Sequence, residues 1–236
     1  MQKNRQFGRV NADELVGLGD PSRSKVYNAS GHTEPTFHFS NHSKTPTLYT
    51  EGFALDTVHA KQQPALMKNI PSGWTDFLGW TNTDTNPPDK LWRLLAADRG
   101  PDCNPLPHFY HLAYAKSFQQ IEPGHGLDIA KELTTAGVAM KQFLKRVQSV
   151  VWGRRLMRTN SHRLVGLVPA ETNKRELIVI LSGCSVPVVS RRVEAPESNE
   201  ETFKLIGECF IYGMMDGEAM DFKLSRGIET QTFAIL

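Results

Sequence analysis

The stretch GECFIYGMMDGEAMDF, residues 207–222, combines an extended segment, a turn and paired carboxylates. Apolar residues alternate along the run that leads into it, which predicts a half-buried strand ending at Gly213. Asp216 and Gly217 then form a turn dipeptide, and the Asp216 carboxylate is placed to accept N–H bonds from a short helix that begins at Glu218. The stretch therefore predicts a strand, a turn and a helix start, with two carboxylates at the strand end.

Five short apolar runs separated by turn-like residues occupy the C-terminal part of the chain. Short strands at this spacing close most readily into a small antiparallel barrel or a curled sheet, because closure removes exposed strand edges. Residues 154–236 are therefore predicted to be a β-barrel-like region. The runs are RRLMRT (154–159), RLVGLV (163–168), ELIVIL (176–181), PVVSRRV (187–193) and TFKLIGECFIY (202–212).

The preceding region, residues 59–153, is predicted to be helical. The segment 87–100 begins with prolines suited to a first helical turn and ends at Gly-Pro, and its Trp92 is the best candidate for a core anchor. A second helix is predicted within 106–120. From residue 128 to 153, apolar residues recur near a 3.6 period, which predicts one long helix with Lys131, Lys141, Lys145 and Arg146 left for solvent or the C-terminal dipole.

Residues 1–58 are predicted to form an N-terminal arm. Polar and turn-forming residues dominate 1–47, and a short periodic piece at 48–58 predicts a strand that ends near Asp56. The fold class is therefore α+β, with an arm carrying a short strand or hairpin, about three central helices and a C-terminal barrel-like sheet. The region 59–153 and the barrel are expected to form one compact unit.

Composition excludes several classes of protein. Lysine and arginine number 27 against 25 acids, a net charge of +2 that gives no electrostatic argument for a nucleic-acid or anionic-membrane partner. Cys103, Cys184 and Cys209 are widely spaced, which disfavours a disulfide framework or a zinc ribbon. The first residues have no apolar core of a signal peptide, so a cytoplasmic protein is expected, with the nucleus as an alternative.

Seven motifs follow one another along the chain in the order of a known family. They are YNASG (27–31), LYTEGFALDTV (48–58), LWRLLAADRG (91–100), GRRLMRT (153–159), LVGLVP (164–169), LSGCSVPVVSRR (181–192) and LIGECFIYGMMDGEAMD (205–221). In this order they resemble the C-terminal region of fungal heterokaryon-incompatibility (HET) domain proteins. The LSYxWG-like and WIDxLCINQ-like strings of the HET domain itself do not occur. The chain is therefore expected to be a truncated paralogue, a fragmentary gene model or a free-standing C-terminal module.

The resemblance implies a role in fungal non-self recognition and regulated cell death. It implies a non-enzymatic module that acts through protein contacts, with full-length relatives as possible partners and no cofactor. Relatives commonly have Gly-Asp before the apolar strand at 177–181, whereas this chain has Arg175-Glu176. Only glycine adopts the left-handed conformation of such a turn without strain, so the turn is expected to differ here.

The carboxylates Asp216 and Glu218, with Asp221, have two interpretations. They are placed to bind a divalent cation or act as an acid/base pair. The structural interpretation is that one caps a helix while another pairs with an arginine. We favour a bidentate pair between Arg154 or Arg155 and Glu218 or Asp216, tying the first barrel strand to the last.

Two weaker motifs also have chemical and structural interpretations. His108 and His111 have the i, i+3 spacing of helical metal ligands, but no third ligand follows and the aromatic context favours packing. Cys184 lacks a nucleophile elbow and a base, so Cys184 and Cys209 are interpreted as small core residues. No phosphate-binding glycine loop occurs in the sequence.

Two other functions remain open at this point. The first is a small-molecule-binding barrel in which Arg154, Arg155, Asp216 and Glu218 line a polar pocket. The second is an enzyme of unknown reaction, although the sequence offers no catalytic constellation for it.

Overall fold

The computed structural model describes residues 26–40, 46–66, 69–80, 88–101, 105–118, 125–194 and 200–236. Cys103 and the centre of the acidic loop at 194–201 lie outside this part of the chain. Spatial contacts divide the described residues into a helical unit, 62–156, and a barrel unit, 26–61 with 157–236. The predicted domain boundaries, 1–58, 59–153 and 154–236, stay predictions. No helix within the described ranges is long and apolar enough to cross a membrane.

Helices and strands both occur among the described residues, which confirms the predicted α+β class. The helices are α1 Gly73–Phe77, α2 Asp89–Leu95, α3 Tyr110–Phe118, α4 Ile129–Thr135, α5 Val138–Val151 and α6 Glu218–Arg226. The strands are β1 Phe37–Ser40, β2 Thr47–Pro64, β3 Asn69–Ile70, β4 Leu127–Asp128, β5 Arg154–Thr159, β6 Val165–Pro169, β7 Leu177–Leu181, β8 Val188–Val193, β9 Thr202–Glu208, β10 Phe210–Ile211 and β11 Gln231–Ile235.

Five strands close into a barrel, as the sequence predicts. The ring runs β2, β11, β9, β8, β7 and back to β2. The pair β11–β9 is parallel, and the other four pairs are antiparallel. Strands β5, β6 and β10 extend the sheet outward from β2, and β1 also pairs with β2.

The membership of the ring differs from the sequence prediction. Strand β2 begins in the predicted arm but continues to Pro64, so the predicted end near Asp56 and the helical start at residue 59 are wrong. Strand β11 lies beyond the last predicted run, yet both β2 and β11 are ring strands. The runs at 154–159 and 163–168 form β5 and β6, which lie outside the ring. The physical reason is that β2 is 18 residues long and offers successive parts of its two edges to β1, β5, β7 and β11. Such long-range pairing leaves no periodic signal in a single sequence.

The barrel unit buries both faces of β7, which explains its continuous apolar sequence LIVIL. Leu177, Val179 and Leu181 face one cluster, which includes Phe203 and Phe233 of other ring strands. Alternate residues on a strand point to opposite faces. Ile178 and Ile180 accordingly face a second cluster that also contains Phe53, Leu55, Val58, Met157, Val168, Val189, Cys209, Ile211, Met214 and Ala219.

The turn before β7 forms although the chain lacks the expected glycine. Arg175 adopts a left-handed backbone conformation with φ of 69°, and its N–H donates to the Val58 carbonyl at 2.7 Å. The buried Glu176 carboxylate accepts hydrogen bonds from the Asn173 N–H at 2.9 Å and from Arg191 Nε on β8. These bonds hold the hairpin between β7 and β8 at its open end, so the strained residue is fixed from both sides.

The helical unit has two helices where the sequence predicts one. The predicted helix over 128–153 is interrupted because Ala136 and Gly137 are extended, with ψ angles of 142° and 170°. Gly137 takes the N-cap position of α5. The prediction of an unbroken helix is therefore wrong at this point. Asp128 caps α4, since its Oδ1 accepts a hydrogen bond from the Lys131 N–H at 3.0 Å.

Aromatic side chains fill the core of the helical unit. Tyr110 and Tyr114 of α3 each lie edge-on to Phe143 of α5, with ring centroids 5.2 and 6.2 Å apart. Tyr114 also stacks on Phe118 at 4.3 Å and contacts Trp80 at 5.7 Å. Burial raises the pKa of the Tyr114 hydroxyl well above its usual value. These contacts join α3 to α5.

The predicted irregular arm is only partly described. Within it, residues 37–40 form β1, which pairs antiparallel with β2, so this part is a strand rather than irregular. Residues 1–25 and 41–45 lie outside the described part.

Candidate functional site

Three of the family-like motifs meet at one end of the barrel unit. Within the segment 27–31, the Asn28 N–H donates to the Met215 carbonyl at 2.8 Å. The Ala29 N–H donates to the Ser185 carbonyl at 3.0 Å. This segment therefore links the turn after β7 to the stretch from which the sequence analysis started.

Thr33 and Pro35, which follow this segment in the chain, both contact Gly183. The Gly183 N–H donates to Thr33 Oγ1 at 3.1 Å, and a Cβ on Gly183 would lie 2.4 Å from Pro35 Cγ. Gly183 has a φ of 76°, so both its conformation and its close contact require glycine. A shallow pocket of about 480 Å³ lies beside this loop, lined by Asn28, Gly31, His32, Thr33, Glu34 and Pro35.

The structure places the predicted carboxylates at the surface of this end. The helix α6 begins at Glu218, as predicted, but the N-cap position belongs to Gly217 rather than Asp216. The Glu218 Oε2 instead accepts a hydrogen bond from the Asp216 N–H at 2.7 Å. Asp216, Glu218 and Asp221 are all exposed. No group of three or more metal-ligating side chains is found within the described ranges.

The predicted arginine partners lie at the start of β5. Arg154 is buried and Arg155 is half-buried. The ion pair between one of them and Glu218 or Asp216 stays a prediction. Because both carboxylates are exposed, such a pair would contribute about 0–1 kcal/mol, not the 3–5 kcal/mol of a buried pair.

A second cleft, with a larger volume of about 620 Å³, lies on the helical unit. Its wall is built by the end of the LWRLLAADRG motif. Ala97 and Asp98 both have left-handed conformations, with φ angles of 49° and 52°. Such strain in non-glycine residues is concentrated at functional sites. The lining residues are Asp89, Trp92, Arg93, Asp98, Arg99, Pro105, Leu106, His108 and His111.

Charged groups in the cleft are held in a network around Trp92. Arg93 Nη1 donates to Asp98 Oδ1 at 2.8 Å, and the Arg93 guanidinium carbon lies 4.9 Å from the Trp92 ring centroid. The Trp92 indole N–H donates to Asp89 Oδ1 at 3.2 Å. Trp92 itself is buried. The indole therefore supports the cleft from below, while guanidinium and carboxylate groups line its surface.

Arg146 of α5 holds the turn that contains the left-handed residues Ala97 and Asp98. The sequence analysis did not identify this role. Its Nε donates to the carbonyl oxygens of Ala96 at 3.1 Å and Arg99 at 3.0 Å. The helical periodicity assigned Arg146 to solvent or the helix dipole. No local signal marks it, because its acceptors lie about 50 residues earlier in the chain.

The two histidines of the sequence analysis lie in this cleft. Both are exposed, and His111 Nδ1 lies 2.6 Å from the His108 carbonyl oxygen, so Nδ1 carries a proton and donates. The His111 ring also contacts Trp92, with centroids 6.2 Å apart. Guanidinium, carboxylate, imidazole and indole groups together suit a small polar ligand. None of Arg154, Arg155, Asp216 and Glu218 lines this cleft.

A closed five-stranded ring and a separate group of helices place the chain among α+β proteins that carry a small barrel. Residues 114–227 match the model of the Het-6 beta-barrel domain family. Residues 114–227 are therefore similar to this family, a C-terminal-type region of HET-family proteins, and the match confirms the resemblance seen in the motifs. The similarity connects the chain to heterokaryon incompatibility. No curated protein and no solved structure matches the chain.

Proposed function

We propose that this chain is a non-enzymatic C-terminal module that acts in fungal non-self recognition and regulated cell death. The Het-6 beta-barrel match over residues 114–227 is the observation that carries the proposal. The module acts in the cytoplasm through protein contacts, as a partner or decoy of full-length HET-domain relatives. It needs no cofactor for this role.

An exposed aromatic pair on the barrel unit supports the protein-contact part of the proposal. Phe37 and Phe39 alternate on β1, and their side chains are 64% and 65% exposed. Their ring centroids lie 6.2 Å apart. Aromatic side chains supply much of the binding energy of protein interfaces when a partner covers them.

The aromatic pair stands on a well-supported strand. Strand β1 pairs with β2 from Phe37 to Ser40. On the opposite face, His38 stacks on Tyr49, with centroids 4.8 Å apart, and the Tyr49 hydroxyl donates to Glu200 at 3.1 Å. Binding of a partner to a pre-ordered strand loses less conformational entropy than binding to an unstructured segment.

The proposal is tested by comparing the Phe37→Ser/Phe39→Ser double variant with a matched control variant, Leu224→Ser. Leu224 is 78% exposed on α6 of the same unit, so both changes remove exposed apolar groups. Each chain is expressed in a fungal host with a full-length HET-domain relative, and both cell death and binding between the purified proteins are measured. The proposal expects the wild type and Leu224→Ser to alter cell death, and the double variant to lose binding and this effect.

Two outcomes would contradict the proposal. The first is no change in cell death and no binding with the wild-type chain. The second is an equal effect of the double variant and Leu224→Ser, which would remove the β1 surface from the mechanism. Melting curves of all variants show whether a loss reflects unfolding.

The cleft on the helical unit favours ligand binding as a second candidate function. Its lining includes Arg93, Asp98 and two histidines, which suit a small polar molecule. A thermal-shift screen of small polar compounds tests this, because a ligand that binds only the folded chain raises the melting temperature. A saturable rise that Asp98→Ala abolishes favours the cleft, whereas loss on Glu218→Ala would favour a barrel pocket. A screen without saturable shifts would count against both.

A further inference from the structure

Two strands of the nine-stranded sheet have a neighbour on one edge only within the described ranges. Strand β10 pairs with β6, and β1 pairs with β2, whereas the other strands of the sheet have neighbours on both edges. Both residues of β10 are buried. Phe37, His38 and Phe39 of β1 are all exposed. Strand β1 is therefore the accessible edge of this sheet.

The pairing of β1 with β2 determines which backbone groups are turned toward this edge. In an antiparallel pair, residues that bond to the partner strand alternate with residues whose N–H and C=O groups point away from it. The Glu51 N–H donates to the Thr36 carbonyl at 3.4 Å, and the register then continues without a shift to the end of β1. Thr36 and His38 thus face β2. The N–H and C=O groups of Phe37 and Phe39 point away from β2.

The exposed edge carries none of the features that usually prevent strand pairing. Charged side chains, prolines and bulges protect the edge strands of natural proteins. Strand β1 has the sequence FHFS, without Asp, Glu, Lys, Arg or Pro, and its register with β2 contains no bulge. Phe37 and Phe39 instead place two exposed aromatic rings on one face of the strand. The same two residues therefore offer backbone hydrogen bonds and aromatic contacts.

We propose that β1 is a strand-addition site, and that its occupant is an extended, uncharged segment of a full-length HET-domain relative with apolar side chains at alternate positions. An extended chain is selected because its N–H and C=O groups repeat at the spacing of those on the edge. Apolar side chains on the face of Phe37 and Phe39 cover both rings, since neighbouring strands pack their side chains in pairs. A charged segment would lose hydration without gaining an ion pair on β1.

This inference rests on the proposed function, which supplies the partner. It goes beyond the proposed function by assigning the conformation of the bound segment and the two residues whose backbone groups pair with it.

Proline substitution separates backbone pairing from the aromatic contact. Phe39→Pro removes an N–H that points away from β2, so the bonds between β1 and β2 are kept, while the added strand loses a donor and is blocked by the proline ring. Phe39→Ala removes the same aromatic ring but keeps the N–H. In calorimetric titrations with the purified relative, we expect Phe39→Pro to bind about ten-fold more weakly than Phe39→Ala. Melting curves establish that both variants are folded.

Amide hydrogen exchange of the wild-type chain gives a measurement that depends on no variant. The N–H groups of Phe37 and Phe39 are expected to exchange at least about ten-fold more slowly when the relative is bound, because they become hydrogen-bonded. His38 is the internal control, since its N–H faces β2 in both states. Nuclear magnetic resonance of the labelled chain resolves the three amides.

Strand addition is overturned if the relative binds Phe39→Pro and Phe39→Ala equally, or if binding slows the exchange of Phe37, His38 and Phe39 alike. Either result leaves the proposed function standing, because the relative still binds. Slow exchange of Phe37 and Phe39 in the chain alone, with dimers in sedimentation velocity, would make a second copy the occupant and overturn the assignment to a relative. No binding by the wild type would contradict the proposed function and this inference together.

Discussion

The carboxylate of Asp56 in β2 accepts a hydrogen bond at 2.9 Å from the backbone N–H of His162, in the turn that joins β5 to β6. The N–H groups of Thr57 at 2.7 Å and Ser161 at 3.0 Å donate to the same carboxylate. Burial by itself raises the pKa of Asp56, but these N–H groups and the Thr159 hydroxyl outweigh it and lower the pKa. A buried anion therefore fixes this turn against the long strand.

Replacing Asp56 by Asn is expected to destabilise the barrel unit. The change removes the charge and turns one acceptor into a donor that faces backbone N–H groups. Loss of buried hydrogen-bond partners costs about 1–3 kcal/mol. Urea denaturation at pH 7 measures the loss, with Glu229→Gln as a control at an exposed position. Equal stability of the two variants would show that the Asp56 network contributes nothing.

Acid dependence provides a second test of Asp56. A carboxyl whose pKa is lowered on folding contributes stability that is complete above the unfolded value of about 3.9 and is lost as the pH falls through the folded value. The wild type should therefore lose more stability than Asp56→Asn as the pH falls below about 4. Parallel curves for the two proteins would contradict this assignment.

Gly52 in β2 is expected to resist substitution because it faces β7 at the closure of the barrel. A Cβ at Gly52 would lie 2.4 Å from the Ile180 carbonyl oxygen. Alanine in a strand normally stabilises relative to glycine. Here it must push β2 from β7, at a cost of about 1–3 kcal/mol. Thermal melting compares Gly52→Ala with a control at the exposed neighbour, Glu51→Ala. Gly52→Ala is expected to melt at the lower temperature, and a higher melting temperature for Gly52→Ala would contradict the prediction.

Arg175→Gly is expected to stabilise the chain. The left-handed conformation costs an L-residue about 1–2 kcal/mol, while glycine loses more entropy on folding, so the net gain is about 0.5–1 kcal/mol. Lys174→Gly is the matched control, since Lys174 is an exposed neighbour without a positive φ. Denaturation midpoints should rise for Arg175→Gly and fall for Lys174→Gly. A lower midpoint for both variants would mean that the Arg175 side chain stabilises the fold by more than its left-handed conformation costs.

Trp92→Ala is expected to destabilise the helical unit by about 3–5 kcal/mol, because it removes a large buried side chain. Trp92→Phe keeps an aromatic ring beneath Arg93 but loses the indole N–H bond to Asp89 and part of the buried ring volume, so a smaller loss is expected. Guanidinium denaturation compares the two. Similar losses would show that the ring retained by Phe contributes little to stability.

Local patterns in the sequence predicted much of the secondary structure. Alternation predicted β7 and β8, proline located the start of α2, and Asp216-Gly217 located the start of α6. The predicted stop of α2 at Gly100 was wrong, since α2 ends at Leu95, before the left-handed residues Ala97 and Asp98. The local patterns failed at the break between α4 and α5. The 3.6-residue pattern of apolar residues continues across Gly137, whereas the helical backbone is interrupted there. The turn at Arg175 formed without glycine, because Glu176 and the Val58 carbonyl hold it.

The candidate sites were less accessible to sequence reasoning. Trp92, His108 and His111 were noted separately, and only the tertiary structure brings them into one cleft with Asp98. Arg146 carried no signal at all, because its role depends on carbonyl groups far away in the chain. The four predicted barrel residues lie outside that cleft, and Asp216 and Glu218 are exposed, whereas the predicted ion pair with Arg154 or Arg155 was a buried or half-buried one.

The sequence by itself determined the α+β class, most of the runs that become strands of the barrel unit and the resemblance to the HET family, because alternation, turn residues and motif order are local properties. Only the tertiary structure decided which strands close the ring. The stretch 207–222 contributes the end of β9, the short β10 and the start of α6, while β2 and β11 complete the barrel. Closure depends on which strand edges pair, and that pairing is stabilised by contacts between residues that are far apart in the sequence.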